Sequence, residues 1–232
     1  MADMVRTLVP LALTLTFAAS YGQSDRLIHQ IDFTARQAGN AIPWLQQNGF
    51  KFEIGVEDIK PRFANGGLNL STDKPAKGVI NLPFANGSDL RGVKRVRITW
   101  GVRHFPEGAD WEKGINRVAI GVMISFGTER LPSGLPLGVS AAPYFLSPFL
   151  GNKEPHGKIY TGKYWTLGGR YIACRPERVG QAVTTLVEVD ELFQQLFKKT
   201  PTPPITAVGI QLNSTDTEGR AEAFISRIEF LN

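Results

Sequence analysis

The sequence predicts an all-β protein, specifically an antiparallel β-sandwich of the jelly-roll type with one or two short helices. Three observations support this prediction. Turn-forming residues recur at short spacing, since the 232 residues include 24 Gly and 15 Pro spread along the chain. Short runs rich in β-branched and aromatic residues lie between these turns. In three of the runs, bulky apolar residues alternate with small or polar ones, which is the period-2 pattern of a half-buried strand.

The clearest strand is predicted over residues 93–103. One face of it carries four side chains that are expected in the core: Val96, Ile98, Trp100 and Val102. The other face carries Arg95, Arg97, Thr99, Gly101 and Arg103. Residues 116–126 and 207–213 follow the same rule, with bulky apolar residues on one face and mostly small or polar residues on the other. Each of the three strands is therefore expected to have one face in the core.

Other short runs predict further strands, at residues 28–33, 51–54, 68–70, 79–82, 144–147, 164–173 and 224–231. Two helices are predicted as well. Residues 41–47 have Pro43 near the start, where proline is tolerated, and Asn48-Gly49 as a stop signal. Residues 189–199 place apolar side chains at helical spacing and end in Lys198-Lys199, which suits the negative end of the helix dipole. This second helix is expected to cap one side of the sandwich.

The first twenty residues have the layout of a secretory signal peptide. Arg6 lies in a short n-region, residues 8–18 form an apolar run of h-region length, and small residues precede Tyr21. Cleavage is expected after Ser20 or, alternatively, after Gly22. An uncleaved membrane anchor is disfavoured because the run is too short to cross a bilayer core of about 30 Å. The predicted organisation is a signal peptide over residues 1–20 and a single β-sandwich domain over residues 21–232. The protein is expected to be periplasmic or secreted, without stable membrane insertion after cleavage.

The charge and the single cysteine narrow the choice of function classes. The formal net charge is +5 at pH 7 and the sequence pI is about 9.4. Lys and Arg are scattered without a dense run or a basic helix, which argues against nucleic acid as a partner. An anionic polysaccharide or a lipid headgroup would respond to the same positive field. Cys174 has no partner for an intramolecular disulfide and is expected to be a buried structural thiol.

Several segments together resemble a known bacterial family. They are Ile31-Asp32-Phe33, Trp44, the strand that contains Trp100, residues 213–217 and residues 223–230. Over nearly all of the chain after the signal peptide, the sequence resembles exported proteins of unknown function with a galactose-binding-domain-like jelly-roll fold. This resemblance implies a β-sandwich of a kind that is common among carbohydrate-binding modules. Family members often have an Asp-rich segment before the second central strand, whereas this chain has Glu112-Lys113-Gly114-Ile115-Asn116, so an acidic site is not carried over.

The predicted binding site comes from the non-core faces of the three alternating strands. If these strands share a sheet, their outer faces bring together Arg95, Arg97, Thr99, Arg103, Ser125, Gln211 and Asn213. Such side chains could bind hydroxyls or carboxylates, and the small residues between them would leave room for a ligand. The alternative is a solvated outer face on which the arginine stems cover the sheet.

An aromatic side chain adds a second route to sugar binding. Trp111 lies in the loop-like segment 107–112 between acidic residues, where an exposed indole could stack on a pyranose ring. The alternative is that Trp111 is a lid over the core.

Signals for catalysis and for metals are sparse. The sequence contains no Gly-x-Ser-x-Gly elbow and no phosphate-binding glycine loop. The first acid–base pairs to consider are Asp110 with Glu112 and Glu154 with His156. No cofactor is predicted, although Ca²⁺ could be held by Asp216, Thr217 and Glu218, with Asp32 as a further ligand.

The sequence therefore predicts an exported, non-catalytic binding protein for a carbohydrate or another anionic ligand of the cell envelope. Two alternatives stay open. One is a structural or assembly protein of the envelope, and the other is a hydrolase or lyase that acts on polysaccharides.

Overall fold

Two seven-stranded β-sheets pack face to face in the computed structural model, which describes residues 25–84, 90–134 and 140–232. The predicted β-sandwich with two short helices is confirmed. The predicted signal peptide, residues 1–20, lies outside the described residues. None of the described helices is long and apolar enough to cross a membrane.

The strands follow one another along the chain with short connections. They are β1 (Leu27–Asp32), β2 (Gly39–Asn40), β3 (Lys51–Glu53), β4 (Arg62–Ala64), β5 (Gly67–Thr72), β6 (Lys77–Pro83), β7 (Arg95–His104), β8 (Val118–Leu131), β9 (Ala142–Leu150), β10 (Ile159–Tyr160), β11 (Gly169–Cys174), β12 (Val183–Val187), β13 (Ile205–Asn213) and β14 (Ala221–Leu231). The helices are α1 (Ile42–Gln47) and α2 (Val189–Phe197).

The strands divide into two sheets that are connected by crossovers. Sheet A has the order β12-β7-β14-β5-β4-β2, and β1 also pairs with β14. Sheet B has the order β10-β11-β9-β8-β13-β6-β3. Among the described strands, all pairs are antiparallel except β11 with β9, which are parallel.

The core lies between the sheets and contains the apolar faces that the alternation predicts. Val96, Ile98, Trp100 and Val102 of β7 are completely buried, as are the aliphatic residues of β8 and β13 that face them. The indole Nε1 of Trp100 donates a hydrogen bond to Thr185 Oγ1 at 2.9 Å. This bond satisfies the polar atom that a buried indole carries with it.

The two helices lie close to their predicted positions. Phe193 of α2 packs against Phe126 and Tyr144, with ring centroids 4.8 Å and 5.8 Å away. The helix ends at Phe197 because Lys198 adopts a left-handed conformation, with φ of 55°. It is therefore two residues shorter than the predicted helix.

The strand predictions differ from the structure in one boundary and in several strands that were not predicted. The predicted strand over residues 164–173 begins only at Gly169, because a turn at Trp165 precedes it, and the amides of Gly168 and Gly169 both donate to the Trp165 carbonyl. Strands β2, β4 and β10, of two or three residues each, were not predicted, and neither was β12. In β12 the inward Thr185 and the exposed Leu186 invert the expected polarity, so the period-2 signal is lost.

Candidate functional site

The predicted site residues lie on two different sheets, so the expected shared face is wrong. Strand β7 lies between β12 and β14 in sheet A, whereas β8 and β13 are neighbours in sheet B. Arg95, Arg97, Thr99 and Arg103 are therefore on the outer face of sheet A. Ser125, Gln211 and Asn213 are on the outer face of sheet B, on the opposite side of the sandwich. The two groups cannot bind one ligand.

The arginines of sheet A are held in ion pairs with acidic side chains. Asp25 accepts from Arg95 at 2.5 Å and from Arg97 at 2.6 Å. Glu229 lies 3.6 Å from Arg97 on the other side. Each of these side chains is only partly exposed, so their charges largely compensate one another within the sheet.

The other end of the same face is filled in a similar way. Arg103 lies 2.6 Å from the Asn69 oxygen and 3.3 Å from Glu222, and its guanidinium stacks 4.5 Å above the Phe224 ring. The Phe224 ring occupies the space that a side chain at Gly101 would need. Thr99 meets Thr184 of β12 at 3.3 Å. The outer face of sheet A is therefore a solvated surface whose polar side chains pair with one another, as the alternative interpretation of the sequence expects, and not an open binding groove.

The outer face of sheet B has a different composition at its centre. Gln211 pairs in register with Gly121 of β8 and with Val79 of β6. One step along the strands, Gly209 pairs with Met123 and with Asn81. We call this set the sheet B platform: Val79, Asn81, Gly121, Met123, Gly209 and Gln211. Two of its six members, Gly121 and Gly209, lack side chains, and the side chains of Gln211 and Met123 lie over these two buried glycines.

Gln211 is held in one orientation on the platform. Its side chain extends across Gly121, where an added Cβ would lie 3.0 Å from the Gln211 Nε2 atom. Its Nε2 atom then reaches the hydroxyl of Ser147 on β9 at 3.3 Å. Ser147 is completely buried, whereas Gln211 is half-buried. The amide is therefore fixed before any ligand arrives, and its carbonyl oxygen is an acceptor for a ligand hydroxyl.

Asn81 adds a second amide to the platform. Its Nδ2 atom lies 3.4 Å from the Glu53 carboxylate on the edge strand β3. Its Oδ1 atom is buried and accepts no hydrogen bond within the described part of the chain. A buried acceptor without a donor costs about 1–3 kcal/mol. Such a group is a candidate for completion by a ligand or water.

The two remaining predicted residues of sheet B are less available. Ser125 is buried between its register partners Ala207 and Phe145. The Oδ1 atom of Asn213 accepts from the amide and the hydroxyl of Thr215, at 3.1 Å and 2.8 Å. Asn213 therefore shapes the turn after β13, and Gln211 is the predicted residue that the platform presents.

Trp111 forms part of an aromatic wall beside the platform. Its indole stacks on Phe149 with the ring centroids 4.5 Å apart and an interplanar angle of 20°. The rings of Tyr171 and Tyr160 lie 4.9 Å and 5.5 Å from it. Only 6% of Trp111 is exposed. The prediction of an exposed stacking residue is wrong, and Trp111 is instead a lid on the outer face of sheet B.

Backbone and carboxylate contacts hold this lid in place. The Asp110 carboxylate accepts from the amides of Glu112 and Lys113, at 3.1 Å and 3.2 Å. The buried Glu154 carboxylate accepts from the Trp111 amide at 3.1 Å. The indole Nε1 donates to the Arg117 carbonyl at 3.1 Å. The short turn around Trp111 is therefore fixed at both ends.

Glu112 links the lid to the neighbouring strand β10. It lies 2.7 Å from Lys158 and accepts a hydrogen bond from the Tyr160 hydroxyl. The pKa of Glu112 is lowered below its usual value of 4.5, mainly by the hydrogen bond from Lys158 and, to a smaller extent, by that from Tyr160. Burial, and then the hydrogen bond to Glu112, raises the pKa of Tyr160. Burial alone raises the pKa of Tyr171 to about 12, so the hydroxyls in this wall stay protonated at neutral pH.

Three of the four residues in the predicted acid–base pairs, Asp110, Glu112 and Glu154, hold the lid, and His156 makes a separate backbone contact. Asp110 and Glu112 make the contacts described above. Glu154 binds the Trp111 amide, while the Nδ1 atom of His156 accepts from the Arg175 amide at 3.3 Å.

Two of the four residues predicted to bind Ca²⁺ are paired with arginines. Asp216 pairs with Arg117, and Asp32 lies 2.9 Å from Arg227. The described ranges contain no group of three or more His, Cys, Asp or Glu side chains that could hold a metal ion. Cys174 is buried, and burial raises its pKa to about 12, so it is an inert thiol at neutral pH.

The sequence matches no protein-family model and no curated protein. Solved structures do match. The endoglucanase Cel12A from Rhodothermus marinus is 13% identical, with a TM-score of 0.44, and the match covers 88% of this chain and 100% of that one. The family 12 xyloglucanase from Bacillus licheniformis is 10% identical, with a TM-score of 0.40 and coverage of 90% and 99%. The K2 cleaved adhesin domain of Lys-gingipain is 9% identical, with a TM-score of 0.40 and coverage of 87% and 98%. At these values, the matches carry no conclusion about the activity of this chain.

Proposed function

We propose that this protein is an exported, non-catalytic glycan-binding protein and that the sheet B platform is its binding site. The observation that supports this most strongly is the fixed amide of Gln211, which extends over Gly121 to the buried Ser147 hydroxyl. A polar side chain that is held in one orientation before binding, and that has few other hydrogen-bond partners nearby, is typical of a recognition site.

The chemistry of the platform suits a sugar. Gln211 and Asn81 provide amide oxygens that accept from hydroxyl groups. Val79 and Met123 are half-buried apolar side chains between them, and they can contact the C–H face of a pyranose. Tyr171 and the Trp111 lid border the same face. Glycan sites combine apolar contact with a few oriented polar groups in this manner.

The arrangement favours a neutral glycan over an anionic one. The platform itself contains no arginine or lysine, and its two amides offer acceptor atoms to a donor ligand. The arginines that suggested an anionic ligand lie on the opposite sheet and are paired with Asp25, Glu222 and Glu229.

The same geometry favours binding without hydrolysis. Glycosidases need two carboxyl groups about 5–10 Å apart across the scissile bond. Glu53 on β3 borders the platform on one side, and Asp110, Glu112 and Glu154 lie on the other side, where they hold the Trp111 turn through the contacts described above. Four strand spacings, or about 19 Å, separate β3 from β9, the strand on which the Trp111 indole packs. Glu53 is therefore too far from the carboxylates of the lid to form such a pair with them.

The test is a glycan array followed by calorimetric titration of the best neutral ligand. The variant Gln211→Leu should lower the affinity by about tenfold, because the loss of one oriented hydrogen bond costs about 1.5 kcal/mol. Gln30→Leu is the matched control, since Gln30 is exposed on β1 in the opposite sheet. No binding by the wild type, or equal loss in both variants, would contradict the proposal. Release of reducing ends from a bound glycan would contradict its non-catalytic part.

A further inference from the structure

The free edges of the two sheets differ in how they are protected. A free edge exposes unpaired backbone groups, and proteins usually protect it with a short strand, a charge, a proline or a bulge. Among the described residues, five strands have a single paired neighbour: β1, β2, β3, β10 and β12.

Four of these five edges carry such protection. Strands β2 and β10 have two residues each. Strand β3 has three residues, of which Lys51 and Glu53 are charged and exposed. Strand β1 contains Asp32 and an irregularity in its register between Leu27 and His29.

Strand β12 has none of these features. It pairs with β7 over five consecutive residues without a bulge, and it contains neither proline nor a charged residue. The chain is uncharged from Val179 through Val187. Leu186 in the strand is 46% exposed and Val179 in the turn before it is 58% exposed, so this uncharged segment presents apolar side chains to solvent.

The sequence of β12 is nearly symmetric about its centre. It reads Val-Thr-Thr-Leu-Val, with Thr185 in the middle. In an antiparallel pair of two such strands centred on Thr185, each Val183 faces a Val187 and each Thr184 faces a Leu186. Cross-strand pairs of β-branched residues are favourable, and no like charges meet.

From this unprotected and self-complementary edge, we infer that two copies of this chain associate through β12. The two strands pair antiparallel about a twofold axis at Thr185 and join the two A sheets into one. The paired segment is short, so the dimer is weak and forms in the micromolar range.

The dimer has a consequence for binding. The twofold axis of an antiparallel pair is perpendicular to the sheet, so both copies present the same face to the same side. Because β12 belongs to sheet A, the two sheet B platforms stay uncovered and point in one direction. Two platforms side by side would bind a polysaccharide surface with avidity. The dimer itself does not depend on the proposed glycan function.

Charge reversal at the paired positions tests the register directly, with sedimentation velocity of the full mature chain over a range of concentrations. Wild type should show a concentration-dependent dimer. The double variant T184K/L186K places lysine against lysine twice and should weaken the dimer by about tenfold or more. The double variant T184K/L186E places lysine against glutamate twice and should restore it. Leu167→Lys, at an exposed loop residue, is the control that should leave the dimer unchanged.

A measurement on the wild type alone guards against variants that do not fold. Hydrogen exchange of the β12 amides should slow as the protein concentration rises, while that of β3 should not change. A wild type that stays monomeric, a dimer that T184K/L186K leaves intact, or a T184K/L186E variant that stays monomeric would each overturn the inference.

Discussion

The two outer faces of the sandwich use polar residues in opposite ways. On sheet A, Arg97 lies between two carboxylates, and its charge is already compensated. On sheet B, Gln211 is fixed by Ser147 but keeps a free acceptor, and the Asn81 oxygen accepts no hydrogen bond among the residues described. A large number of charged side chains on a sheet face, as on sheet A, is thus a poor guide to ligand binding when the charges are paired with one another. A few positioned groups with unused hydrogen-bonding capacity are a better guide.

The largest expected effect comes from removing the lid beside the platform. Trp111→Ala deletes a buried aromatic ring that packs on Phe149, so the free energy of unfolding should fall by about 3 kcal/mol. Urea denaturation measures this change. Trp165→Ala, at a half-buried ring 6.1 Å from Phe145, is the comparison and should cost less. If Trp111→Ala lowers the free energy of unfolding no more than Trp165→Ala does, then the Trp111 lid does not stabilise the outer face of sheet B.

An intermediate effect is expected on sheet A. In the Arg97→Ala variant Asp25 keeps Arg95, but Glu229 on β14 loses its ion-pair partner on β7. The free energy of unfolding should therefore fall by about 1 kcal/mol. The glycan affinity should stay unchanged, because β7 is in the other sheet. Loss of glycan binding with little loss of stability would reverse the roles assigned to the two faces.

The smallest effect concerns pH. The pKa of Glu112 is lowered in the folded protein, chiefly by Lys158, so its contacts contribute stability above its usual pKa of 4.5. This contribution is lost as the pH falls through the lowered pKa. The difference in melting temperature between wild type and Glu112→Gln should therefore be present at neutral pH and vanish in acid. A difference that grows on acidification would contradict this assignment.

The sequence predicted the strand faces well but not which sheet each strand joins. The alternation in β7, β8 and β13 follows from burial on one side, so it can be read locally. The assignment of β7 to the opposite sheet depends on its pairing with β12 and β14, which lie about 85 and 130 residues away along the chain. Local patterns carry no information about such long-range pairing.

Among the site residues, Ser147 was not predicted and Trp111 was predicted in the wrong environment, and both outcomes have local reasons. Ser147 lies within an apolar run of β9 and gives no polar signal of its own. The acidic neighbours of Trp111 in the sequence suggest an exposed loop. The contacts with Glu154 and Arg117 that bury it form only in the folded chain, so the sequence does not reveal them. Gln211 could be predicted, because it alternates with buried aliphatic residues on β13.

The proposed export has its own simple test. Expression of the full chain in a bacterial host, followed by N-terminal sequencing of the periplasmic or secreted protein, should yield a start at Tyr21 or at Gln23. A protein that keeps Met1 and stays with the membrane fraction would favour the anchor alternative.

The most direct test of the central claim is hydrogen exchange of the wild type with and without its best neutral glycan. Exchange should slow in β6, β8 and β13, which carry the sheet B platform, and should not change in β7 or β14. Protection confined to β7 and β14 would place the ligand on sheet A and would contradict binding at the platform.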